Sequence, residues 1–181
     1  SASWLRWGIA SFLIEQVAFL LLPFVLFRLL QGAGRAIAVS MVVLAVAGVP
    51  LALAGLSHRL DVLSLVGAAR AAPASAAPAW KTLIDLAFDG YRHDLLLASL
   101  FWGLWLLPFG YLAFASARLP RILGILLMAG GLGYVIDVFG TLLVADYPNT
   151  IASNYLTLPA AAGEIGACLW LLLAGLRPFR S

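Results

Sequence analysis

Stretches of about twenty residues with almost no charge recur along the chain, and no other feature limits its fold so severely. A hydrocarbon layer about 30 Å thick is crossed by about 20 helical residues at a rise of 1.5 Å each. On that ruler the sequence predicts five spanning helices, over residues 4–30, 35–56, 94–117, 119–145 and 158–176. The period-2 alternation of a membrane β-barrel is missing, so the expected fold is all-α, a polytopic transmembrane helical bundle forming a single domain over residues 1–181. Composition agrees: 64% of the residues are hydrophobic and 10% charged, against about 45–50% and about 25% in soluble domains. A net charge of +3, spread over scattered basic residues, gives no block suited to nucleic acid, and a single cysteine, Cys168, excludes an intramolecular disulfide.

The first segment is too long for a signal peptide, contains Glu15 and Gln16, and lacks a small-residue cleavage pattern. Arg28 and Arg35, Arg118 and Arg121, and Arg177 and Arg180 fall in connections that basic residues mark as cytoplasmic. The connection through Asp146, Tyr147, Pro148 and Asn149 carries no basic residue and is expected outside. The long second connection weakens that pattern, because Arg59, Arg70, Lys81 and Arg92 sit on the outer side, together with Asp61, Asp85 and Asp89. Within it, RAAPASAAPA (70–79) reads as a loop. In residues 80–92, Trp80, Leu83, Ile84, Ala87, Phe88 and Tyr91 share one helical face opposite Lys81, Asp85, Asp89 and Arg92. That pattern predicts one interfacial amphipathic helix, with Gly90 letting the chain turn into the next span. It could serve as a lid or anchor, or as a substrate gate. Trp4, Trp7, Trp80, Tyr91, Tyr147 and Tyr155 are expected in an aromatic belt. Phe101, Trp102, Trp105, Phe109, Tyr111 and Phe114 read as packing and lipid contact rather than a ligand cage. Pro23, Pro50 and Pro108 fall inside spans, where they kink a helix or free a carbonyl.

Charges at the centre of a bilayer cost at least about 2.5–3.5 kcal/mol each, so they turn inward and mark function by default. Glu15, Asp137 and Glu164 lie about 16, 13 and 10 Å from the outer helix ends, in one layer. Each shares its face with small residues: Gly8, Ser11 and Ala18; Ala129, Gly133, Gly140 and Thr141; Ala160, Ala161, Ala167 and Cys168. Such faces are contact faces in membranes. A central polar site of Glu15, Asp137 and Glu164 is therefore expected, with Gln16 and Tyr134 as hydrogen-bond partners. No Lys or Arg lies at that depth, so repulsion and burial favour a proton on at least one acid unless a cation is bound. Protonated acids bonding helices together are the alternative.

His58 and His93, with Asp94 beside one and Asp61 near the other, are candidate metal ligands or axial haem ligands, although no HExxH, CxxCH or i, i+4 histidine pair supports them. Histidines that only meet water or headgroups give the same spacing. No nucleophile elbow or phosphate loop is present.

The segments FWGLWLLPF (101–109), GYLAFASARLPRILGILLMAGGLGYVID (110–137) and PAAAGEIGACLWLLLAGLR (159–177) resemble an uncharacterised family of bacterial polytopic membrane proteins, catalogued as a domain of unknown function. The first two helices match it only loosely. The resemblance implies the helical count, the turn at Leu119 to Arg121, and a motif position for Asp137 and Glu164. It also implies a further span ahead of the first, so the chain is expected to be shortened or processed there. No reaction, substrate or cofactor comes with it.

Three functions remain open. One is a small binding or transport protein whose acid layer takes a proton, a cation or a cationic small molecule. Another is a membrane-embedded metal-dependent enzyme. The third is an accessory or scaffold subunit of a larger complex. The expected partners are the lipid bilayer and either further copies of the chain or a membrane complex, with no nucleic acid. The expected location is the bacterial cytoplasmic membrane, with the C-terminus inside.

Overall fold

The computed structural model describes residues 2–175. Six α-helices follow in order: α1 (Ala2–Leu30), α2 (Arg35–Ala71), α3 (Ala77–Ala115), α4 (Arg121–Leu143), the short α5 (Ile151–Tyr155) and α6 (Leu158–Gly175). No strand occurs among the described residues. α1 to α4 are long and apolar enough to cross a membrane, and α6 is a shorter apolar helix. Arg177 and Arg180 lie outside the described residues.

The long helices pack as successive neighbours: α1 on α2, α2 on α3, α3 on α4, and α4 on α6. Among the described residues, α1 and α6, at the two ends of that series, share no extensive contact. The buried core runs through Leu26 and Leu30 of α1, Met41 and Ala45 of α2, Leu106 and Leu112 of α3, Leu127 of α4 and Ala160 of α6. Glycines let backbones approach closely where α4 meets its neighbours. A Cβ on Gly130 would lie 2.3 Å from the Ala160 backbone, and one on Gly131 would lie 2.7 Å from the Gly103 carbonyl. Small residues are how membrane helices gain close van der Waals contact where the hydrophobic effect gives no drive.

The structure corrects the second connection. Residues 80–92 form no separate interfacial helix; they are the first part of α3, which runs unbroken through Gly90. α2 likewise continues past residue 56 to Ala71, ending where Ala72 turns extended before Pro73. Between Ser57 and Ala71 there is no helix breaker except one tolerated glycine, so loss of apolar character ended the expected span without ending the helix. The apolar face of residues 80–92 is partly covered, with Leu83 exposed and Trp80, Ile84, Ala87, Phe88 and Tyr91 half-buried. Arg59 stacks 4.6 Å from the Tyr91 ring centre, and His58 lies 3.4 Å from Asp94 and 3.7 Å from Asp61. Gly90 serves contact rather than turning, since a Cβ there would sit 2.8 Å from the His58 ring. On the outer face, Lys81 pairs with Asp85 at 2.7 Å and Arg92 with Asp89 at 2.8 Å.

The turn between α3 and α4 falls where the LPR signature places it. Ala117 takes a left-handed conformation (φ 55°), Leu119 is buried, and the Trp170 indole of α6 donates to the Arg118 carbonyl at 3.0 Å. Pro23, Pro50 and Pro108 lie within α1, α2 and α3, none of which they interrupt.

Candidate functional site

One cavity of about 340 Å³ gathers most of the polar residues singled out above. It lies among α1, α3, α4 and α6. Glu15 and Gln16 of α1, Tyr134 of α4 and Glu164 of α6 all line it. The volume is at the lower end of the roughly 300–1,000 Å³ of small-molecule sites.

The periodicity of α1 places these two neighbours differently. Ile9, Gln16, Pro23 and Leu30 recur every seven residues and are all buried. Gln16 is only 3% exposed, and its Oε1 has no hydrogen-bond partner. Glu15, one residue back, is exposed at the cavity's mouth. Its expected contact face is uncovered: nothing lies near a Cβ built on Gly8, and Ser11 and Ala18 are exposed. Among the other helices, α1 packs most extensively on α2. On α6, Ala160 and Ala167 are buried while Glu164 is half-buried, between the helix contact and the opening.

Asp137 does not line the cavity. It stands less than one turn beyond Tyr134 on α4 and acts on Tyr147, from the connection after α4. Tyr147 is buried rather than in an aromatic belt, because Gly140 leaves room for its ring: a Cβ there would lie 2.5 Å from it. Burial first, then the Asp137 carboxylate, raises the pKa of the Tyr147 hydroxyl. The carboxylate acts from nearby, though the hydroxyl has no partner in strict hydrogen-bond geometry.

Trp105 and Phe109 pack in the core, as expected. Trp102, Trp105 and Phe109 of α3, with Phe19 of α1, form a wall of the cavity. Trp105 stacks on Phe109 at 5.3 Å between ring centres, and Phe19 meets Trp105 edge-on at 5.3 Å. Trp105 is 2% exposed, and its indole N–H has no acceptor. The spacing 102, 105, 109 was the available signal, since it puts three aromatics on one helical face. Tyr111 and Phe114 are exposed, as lipid contact requires.

His58 is held between Asp61 and Asp94 in the extension of α2 and α3, away from this cavity. His93 is exposed and does not join them. No three side chains of metal-ligating type converge among the described residues.

A helical bundle of long apolar segments around an acidic, aromatic cavity defines an integral membrane protein. The chain belongs to the family described as a domain of unknown function, DUF4386, whose profile matches residues 1–175. No curated protein and no solved structure matches it.

Proposed function

We propose that the protein binds or transports a cationic species in the membrane, a proton, an inorganic cation or a cationic small molecule, through the cavity shared by Glu15, Gln16, Tyr134 and Glu164. The observation that carries this reading is the charge of the lining: two carboxylates and no Lys or Arg. Inside a bilayer such an arrangement stays charged only with a counter-cation in place. The bacterial cytoplasmic membrane is the proposed location, with Arg28, Arg35, Arg118 and Arg121 at the inner end.

Ligand binding to the folded state raises the melting temperature by mass action. Purified protein in nanodiscs, melted against a panel of inorganic and organic cations at two pH values, is expected to be stabilised by at least one member. Glu164→Gln should remove the stabilisation, and Asp137→Asn, outside the cavity, should keep it. If no cation stabilises the protein at either pH, or if Glu164→Gln responds like wild type, the reading is wrong.

A further inference from the structure

The cavity's walls differ from what an inorganic cation needs. Hard metal ions take six or more oxygens, whereas this lining is mainly aromatic and aliphatic, with Phe19, Trp105 and Phe109 on one side and Leu22, Leu26 and Leu171 around them. Aromatic faces attract cations that have lost their water, which suits an organic ammonium with an apolar body. One further group has no partner. The Gln16 amide oxygen accepts nothing, although the side chain is only 3% exposed and lines the cavity. Leaving a buried donor or acceptor unpaired is costly, so such pairs are normally satisfied by a partner.

The opening gives the route. Extensive packing between α1 and α6 is absent among the described residues, and both helices line the cavity, so the opening is assigned to the gap between them. Glu15 on α1 and Cys168 on α6 are lining residues that are also exposed. A ligand partitioned into the bilayer would meet Glu15 first and Glu164 deeper in.

We infer that the ligand is a primary or secondary organic ammonium with an apolar body, entering from the bilayer through the slot between α1 and α6. Its N–H groups are donated to Glu164 and the Gln16 amide oxygen, and its apolar body lies on Trp105 and Phe109. This inference rests on the cation-binding reading above and narrows it to one chemical class.

Cys168, the chain's single cysteine, reports occupancy because it lines the slot. The experiment follows alkylation of Cys168 by N-ethylmaleimide in nanodiscs at fixed pH, with and without 2-phenylethylammonium, and with 2-phenylethanol as the uncharged counterpart. The ammonium should slow alkylation in a saturable manner, and the alcohol should not. Glu164→Gln should weaken protection at least about tenfold. Trp105→Leu should weaken it about three- to thirtyfold. Both variants must alkylate at the wild-type rate without ligand, which shows that the slot is intact; Trp105→Phe serves if Trp105→Leu does not fold. Protection by the alcohol equal to that by the ammonium overturns the inference. If inorganic cations protect and the ammonium does not, the inference fails while the cation-binding reading stands; if neither protects and no cation stabilises the fold, both fail.

Discussion

A carboxylate in an apolar helix is conspicuous in a sequence, and a glycine is not, yet the packing turns on both. Gly130 sits where a Cβ would meet the Ala160 backbone at 2.3 Å, and backbone cannot move aside as a side-chain tip can. Gly130→Ala is therefore expected to cost about 1–3 kcal/mol through overpacking. Gly67→Ala, with nothing near the added atom, should be neutral or gain up to about 1 kcal/mol from helix propensity. Thermal melts of the two variants side by side check this, and equal losses would refute it. Tyr147 offers a pH-dependent test. Its folded-state pKa is raised above the ordinary 10.0, so the folded chain keeps a proton that the unfolded chain has lost. That stabilisation is fully present below about pH 10 and is lost as pH climbs through the folded-state value. Wild type should lose stability above pH 10 more steeply than Tyr147→Phe; matching slopes would contradict it. Glu15, Gln16, Tyr134 and Glu164 were legible as a group because polar residues in an apolar helix have few reasons to exist. Trp105 was not, because aromatic residues are common in such helices and only the third dimension shows which of them line a void. Asp137 lies near Tyr134 as expected but outside the cavity lining, and its second neighbour, Tyr147, was not legible, because periodicity gives a face and not what covers it.

At the scale of the elements, the existence of the spans was readable and their ends were not. Hydropathy falls at Leu56, whereas the helix of α2 continues to Ala71, since a helix stops at a breaker and not at a change of polarity. The amphipathic pattern of residues 80–92 was correctly read as helical, but its apolar face had two candidate partners, the membrane interface and α2. Gly55 and Gly90 admit Tyr91, Asp94 and His58 at close range, which holds the end of this stretch against α2. Gly90→Ala should displace the His58 ring from Asp94 and loosen this two-helix extension. Hydrogen exchange should quicken for amides 80–92 while those of α4 and the core of α3 stay protected. Unchanged exchange at 80–92 would show that the contact does not hold the extension.

The whole molecule is open on two counts. Its outer surface is strongly apolar, with Ile14, Val17 and Leu21 of α1 and Ile136 and Phe139 of α4 all exposed, a surface that lipid covers and water does not. Its series of helices is also unclosed, leaving the slot between α1 and α6 and the carboxylates beside it. Glu15 and Glu164 are proposed to hold a cation there together. Calorimetric titration of 2-phenylethylammonium into the protein in nanodiscs measures the affinity directly. Binding is expected to be saturable in wild type and abolished in the Glu15→Gln/Glu164→Gln double variant; binding of undiminished affinity in that variant, or none in wild type, would contradict this.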